Sequence, residues 1–184
     1  FVTLLQAEAC NPERVKEYTQ KINAASQHLL GLINDVLDMN KIESGSAVLN
    51  LSELNLADII NELNTIIRPQ ARDKDQIFEI HTDSLTREHL LGDKLRINQI
   101  MINILSNAVK YTPRGGRIEM RVSELPQVDK NYSRIRFVIQ DSGQGMSEEY
   151  QRVIFEPFTR EQGNARKQIQ GTGLGMAITK NLVD

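Results

Sequence analysis

The chain has 184 residues, 40% of them hydrophobic, enough to build one ordinary domain with an extension, or two small domains, around an apolar core. Its 22 basic and 24 acidic side chains leave a formal charge of -2, which excludes a broad nucleic-acid-binding surface and requires any bound phosphate to find a local basic site. A single cysteine, Cys10, excludes an internal disulfide framework and a cysteine-based metal site, and no apolar run approaches a membrane span or opens the chain as a signal peptide.

Phe1, Val2, Leu4 and Leu5 read as the end of a helix that turns around Cys10 into a second, antiparallel one. The second helix has Asn11 as N-cap, Pro12 at its first position, Glu13 in its first turn and Gly45 past its end. Val15, Tyr18, Ile22, Ala25, Leu29, Leu32, Val36 and Met39 recur at alternating spacings of three and four, a heptad seam that Leu30, Ile33 and Leu37 widen. Two helices alone bury too little, so the pattern predicts a homodimer in which two hairpins form a four-helix bundle.

Beyond "KIESGS" the periodicity changes. Asn55 to Arg72 predicts a helix, Ile77 to Asp83 a strand, and Asp93 to Thr112 a helix carrying Ile97, Ile100, Met101, Ile104, Leu105 and Ala108. Arg117 to Leu125 and Ser133 to Asp141 alternate apolar and polar residues around a turn near Pro126 and Asp129, the pattern of a hairpin. Ser147 caps a short helix reaching Phe155, Thr159 to Gly171 is polar and helix-breaking, and Gly175 to Asp184 is helical. The fold class is therefore α+β, a helical hairpin over residues 1–48 followed by a domain of helices and sheet over 49–184.

The chemistry-bearing residues lie in this second part. "QGTGLGMA" satisfies neither a P-loop, which lacks its lysine here, nor a dinucleotide fingerprint, whose third glycine is Met176. Gly171, Gly173 and Gly175 nevertheless expose amide groups at a helix start, where an anion can bind, although such a run is more often only a turn. "QDSGQGMS" places Asp141 at a strand end before Gly143 and Gly145; its carboxylate can accept a hydrogen bond from an exocyclic amine or simply begin an Asx turn. Asn103 and Asn107, one helical repeat apart, share a face, and their amide oxygens suit a hydrated Mg²⁺ held together with phosphates. Asparagines in so apolar a helix need partners.

"NILSNAVKYT", "DSGQGM", "FEPF" and "GTGLGMAI" resemble, in order and spacing, the N, G1, F and G2 boxes of bacterial sensor histidine kinases, and "LLGLINDVLDMNKIESG" resembles the second helix of their dimerisation and phosphotransfer domain. The sequence looks most like the hybrid-type kinases of that family. The resemblance implies a Bergerat-type α/β sandwich, a mixed sheet with helices on one face, that binds ATP and Mg²⁺. It implies that Asp141 reads the adenine amine with Gly143 and Gly145 allowing close approach, that Asn107 coordinates Mg²⁺ with Asn103 beside it, and that Lys110 meets phosphate. Tyr111 would pack near base or ribose, Arg160 would contact phosphate or the transition state, and Phe155 and Phe158 would anchor the hinge of a lid over Thr159 to Gln170. Arg166 and Lys167 in that lid suit a solvated basic loop better than a phosphate contact. Gly171, Thr172, Gly173, Leu174 and Gly175 would end the lid against the triphosphate. Partners implied are a second copy of the chain and a receiver domain of a response regulator or of the same hybrid protein, in the cytoplasmic portion of a bacterial protein whose membrane anchor, if present, lies elsewhere.

The related gyrase and chaperone ATPases carry a glutamate where Asn103 stands, so hydrolysis is not expected, whereas phosphoryl transfer to a histidine needs positioning and charge stabilisation. By the same resemblance the phosphoacceptor histidine lies before Phe1 and further strands follow Asp184, so the 184 residues alone are expected not to autophosphorylate. His28 reads as a bundle residue, and His81 and His89 as surface residues. Two other readings compete with the kinase: a catalytically silent nucleotide-binding scaffold that controls a dimer, and a related ATPase acting on serine or on water.

Overall fold

The computed structural model describes residues 2–7, 11–43, 48–83, 85, 89–127, 129, 131–161 and 171–184. The chain divides into two compact units, Phe1–Ser46 and Ala47–Asp184. In the first, α1 (Val2–Ala7) precedes α2 (Pro12–Glu43). Asn11 caps α2, its side-chain oxygen accepting from the amides of Glu13 (3.2 Å) and Arg14 (3.3 Å). Tyr18 is buried, but Leu29, Leu30, Ile33, Val36 and Leu37 leave the seam exposed through the second half of α2. Cys10 and Gly45 lie outside the described residues, as does the side chain of His28.

The second unit is ordered β1 (Ser52–Asn55), α3 (Leu56–Asp73), β2 (Ile77–Asp83), β3 (His89–Gly92), α4 (Lys94–Tyr111), β4 (Arg117–Leu125), β5 (Arg134–Asp141), α5 (Glu148–Val153) and α6 (Gly175–Val183). The main sheet runs β2-β4-β5, with β2 parallel and β5 antiparallel to the central β4. A small antiparallel ribbon, β1 with β3, was not expected from the sequence. The expected helix to Phe155 stops at Val153, and the strand expected from Ser133 starts at Arg134.

Helices cover one face of the sheet. Leu56, Ile59, Ile60, Leu63, Ile67 and Ala71 of α3 recur at helical spacing and pack with Met101, Leu105, Ala108 and Val109 of α4 onto Phe78, Ile118, Met120 and Val122. The opposite face is polar: Arg117 pairs with Glu79 (2.5 Å) and Arg121 with Glu119 (2.5 Å), and His81 lies 3.7 and 3.9 Å from those two carboxylates. His89 is exposed at the start of β3.

Four polar contacts fix the start and course of α4. Asp93 caps it, accepting from the Arg96 amide (3.1 Å) and the Asn50 amide (2.9 Å). Burial pushes the Asp93 carboxyl up, but those donors and the Arg96 charge prevail and hold it below its ordinary range. Glu62 of α3 then receives Lys94 (2.5 Å) and Asn98 (2.9 Å), fixing the crossing of the two helices.

Candidate functional site

Four of the expected functional residues, Asn103, Asn107, Lys110 and Tyr111, stand on α4 away from its buried stripe. Asn103 donates through Nδ2 to the Gly175 carbonyl (3.2 Å) and the Thr179 hydroxyl (3.4 Å), so it ties the start of α6 to α4. The half-buried Asn107 side chain has no hydrogen-bond partner among the described residues.

Lys110 is the electrostatic centre of the group. Its ammonium lies 5.1 Å from the Tyr111 ring centroid and reaches the backbone at Gly171, where an added Cβ would come within 2.6 Å of Nζ. Burial, then the positive charges of Arg160 and Lys74, hold its pKa below the ordinary lysine value. The positive charges of Arg160 and Lys74 beside the Lys110 ammonium suit the site to an anion.

Asp141 ends β5 with its side chain exposed. Its Oδ1 accepts from the Gly143 amide (2.8 Å), the Asx turn weighed above, while Oδ2 takes no part in that turn. Gly143 is needed for space: a Cβ there would meet the Asp141 carboxylate at 2.5 Å and the Tyr111 carbonyl at 2.9 Å. Gly145 has φ +67°, and an added Cβ would meet no atom within 4 Å.

The glycines at 171, 173 and 175 each admit a different part of the protein. Gly171 admits Lys110, and a Cβ added at Gly175 would stand 3.5 Å from the Asn103 amide. Gly173, at φ +75°, lies against the backbone of Phe158, where a Cβ would stand 2.9 Å from a carbonyl carbon. Phe158 itself is left-handed at φ +62°, and its amide donates to the Gly173 carbonyl (3.0 Å). Thr172 accepts from the Leu174 amide (3.0 Å), and the Leu174 side chain is buried. Phe155 packs under Lys180, 5.7 Å from its ammonium. Arg166, Lys167 and the rest of 162–170 lie outside the described residues.

A cleft of about 440 Å³ opens where α4 ends, walled by Lys74, Lys110, Tyr111, Thr112, Pro113, Arg114 and Ser142 to Gln144. Thus Lys110, Tyr111 and Gly143 share a cavity, while Asn103, Asn107, Asp141 and Gly171 to Gly175 are not among its walls. Sequence reasoning did not find Lys74, Thr112, Arg114 or Ser142, which are ordinary turn residues until the fold assembles them.

Residues 92–184 match the family described as histidine kinase-, DNA gyrase B- and HSP90-like ATPase, and residues 1–45 match the His Kinase A (phospho-acceptor) domain. The autoinducer 2 sensor kinase/phosphatase LuxQ of Vibrio vulnificus (strain YJ016) is 37% identical over 181 residues, covering 98% of this chain and 21% of the relative. The chain therefore spans about a fifth of the length of the curated relatives it matches. The crystal structure of full-length ShkA in complex with AMPPNP is similar with a TM-score of 0.71 and 27% identity, over 91% of this chain and 33% of that one. Histidine kinase ThkA in complex with response regulator protein TrrA gives a TM-score of 0.57 and 28% identity, over 83% of this chain and 42% of that one.

Two outcomes follow from this geometry. Gly173→Ala must place a side chain both in the left-handed region and on the Phe158 backbone, so it should lose about 1–3 kcal/mol in denaturant unfolding, more than Gly145→Ala, which meets no neighbour. A bound polyanion favours the charged form of Lys110, so binding in the alkaline range should take up a proton there, and affinity for inorganic triphosphate should fall as pH rises. Arg160→Ala removes one repelling charge and should move that fall to higher pH in calorimetric titrations.

Proposed function

Because the chain belongs to the histidine kinase-, DNA gyrase B- and HSP90-like ATPase family and carries a His Kinase A segment ahead of that domain, we propose that it is the core of an ATP-dependent sensor histidine kinase. The observation that carries the reading is Lys110 at the end of α4, in one cleft with Tyr111 and Gly143 and against the backbone of Gly171. Such a cluster is matched to a triphosphate, and the complex of ShkA with AMPPNP supports an adenine nucleotide as its occupant. Asp141, through the oxygen not engaged by Gly143, reads the exocyclic amine, Tyr111 lies beside the base or ribose, and Gly145 and Gly171 to Gly175 leave backbone against the ligand.

Mg²⁺ fits the donor set through Asn107, the half-buried amide without a partner among the described residues, with Asn103 next to it on the helix. No group of three or more His, Cys, Asp or Glu that could hold a metal exists among the described residues, so the ion would share its coordination with the nucleotide's phosphates. When bound it supplies charge neutralisation to those phosphates. Lys110 and Arg160 stabilise the transferring phosphoryl group. A neutral imidazole nitrogen forms the new N–P bond as the bond from the γ-phosphorus to the β,γ-bridging oxygen breaks, ADP leaves, and the imidazole proton passes to solvent.

The acceptor histidine belongs to the helical bundle, whose exposed stripe Leu29, Leu30, Ile33, Val36 and Leu37 supports a homodimer. The division near residue 46 supports the boundary drawn at 48. The phosphoryl group then passes to a receiver-domain aspartate, on a response regulator or within a hybrid protein, a step that the complex of ThkA with TrrA supports. No helix among the described residues is long and apolar enough to cross a membrane, and we place this portion in the cytoplasm. No observation favours the silent scaffold.

Asp141→Asn should abolish binding of Mg²⁺ with an adenine nucleotide in calorimetric titration, and unchanged affinity would overturn the assignment. Full-length protein given Mg²⁺ and γ-labelled ATP should acquire acid-labile, alkali-stable label, the signature of phosphohistidine; nucleotide binding with no label would put the scaffold reading ahead.

A further inference from the structure

The last four carbonyls of any α-helix lack intrahelical donors, and the last turn of α4 carries Lys110 and Tyr111. The Ala108 carbonyl accepts from the Thr112 amide (3.0 Å). The Val109 carbonyl accepts from two side chains of the α3–β2 turn, Lys74 Nζ (2.9 Å) and Gln76 Nε2 (3.0 Å). Lys74 Nζ also reaches the Lys110 carbonyl (3.2 Å), and the Tyr111 carbonyl faces Gly143. Gln76 goes on to hold the Thr112 carbonyl (2.7 Å), so the chain leaves the helix along a fixed path.

Gln76 is buried, and its Oε1 has no partner. Turning the amide over would aim that oxygen at the Val109 and Thr112 carbonyls, so the donor orientation is forced even though it leaves an acceptor unsatisfied. The two turns are knitted further by Gly115 N–H to the Lys74 carbonyl (3.3 Å), Ile77 N–H to the Gly116 carbonyl (2.9 Å) and the ion pair of Arg114 with Asp75. The Lys74 ammonium lies at the negative end of the α4 dipole.

We propose that Lys74 and Gln76, which belong to none of the four sequence boxes, are positioning residues: they fix the last turn of α4 and thereby aim Lys110 at the phosphate end of the ligand. This rests on the nucleotide reading of the cleft. It assigns to a three-residue turn, "KDQ", the task of holding a catalytic helix that ends thirty-seven positions after Lys74 (111 − 74). Adenine recognition at Asp141, on β5, does not pass through these contacts.

The test is a ratio. The chain, Lys74→Met, Lys74→Arg and Gln76→Leu are each titrated, with Mg²⁺ present, against a non-hydrolysable ATP analogue and against adenosine. Lys74→Met and Gln76→Leu should each weaken the triphosphate about tenfold and leave adenosine unchanged, and Lys74→Arg, which keeps charged donors, should recover most of the loss. Gln76 carries no charge, so its loss separates position from electrostatic attraction. Unchanged triphosphate affinity in both variants, a loss confined to Lys74→Met, or an equal loss of both ligands would overturn the proposal. Failure of the unaltered chain to bind either ligand would instead overturn the nucleotide reading beneath it.

Discussion

One helix has to meet two environments. Along α4 the buried stripe of Met101, Leu105, Ala108 and Val109 holds the sheet and α3, while Asn103, Asn107 and Lys110 must face away from that core within the same eighteen residues. The apolar stripe sets the rotation of the helix about its axis, and the rotation sets where the amides and the ammonium go. Asp93 and Glu62 fix where it starts and how it crosses α3. Lys74 and Gln76 fix where it stops. A rigid scaffold is what a phosphoryl-transfer site needs, because catalysis there depends on placement and charge more than on covalent help.

The glycine run illustrates how a residue can be read correctly and its neighbour missed. Alternating glycines announce that something approaches the backbone closely. The groups that approach it are the Lys110 ammonium, the Phe158 backbone and the Asn103 amide. The spacing therefore serves two purposes: it lets the segment return onto α4 and the Phe155–Phe158 region, and it leaves amides near the cations.

Much of the second unit was legible because its elements carry their own signals. Ser147 caps a helix, as Asn11 does in the first unit, and β4 and β5 alternate across a half-buried sheet. The ribbon of β1 with β3 was not, since four-residue strands such as "SELN" and "HLLG" show no period and pair only with each other across the intervening helix and strand. Nor does alternation say that β2 lies parallel to β4. Lys74 and Gln76 were invisible for a related reason: as residues after one helix they look like a turn, and their partners end another. The four boxes and the bundle helix, by contrast, were specific in combination, and the cleft gathers Lys110, Tyr111 and Gly143 from two of them.

The parallel pairing of β2 with β4 also orders the assembly of the domain. Every partner pair in it lies forty residues apart, as in Ile77 with Arg117, whereas the β4–β5 hairpin closes over nine at Leu125 with Arg134. Closing the longer loop costs about 1.3 kcal/mol more chain entropy, and α4 lies inside that loop. The hairpin can zip locally; the sheet edge and the end of α4 mature together. The anion-facing residues thus belong to the most topologically demanding part of the chain, so the site exists only once the fold around it is complete.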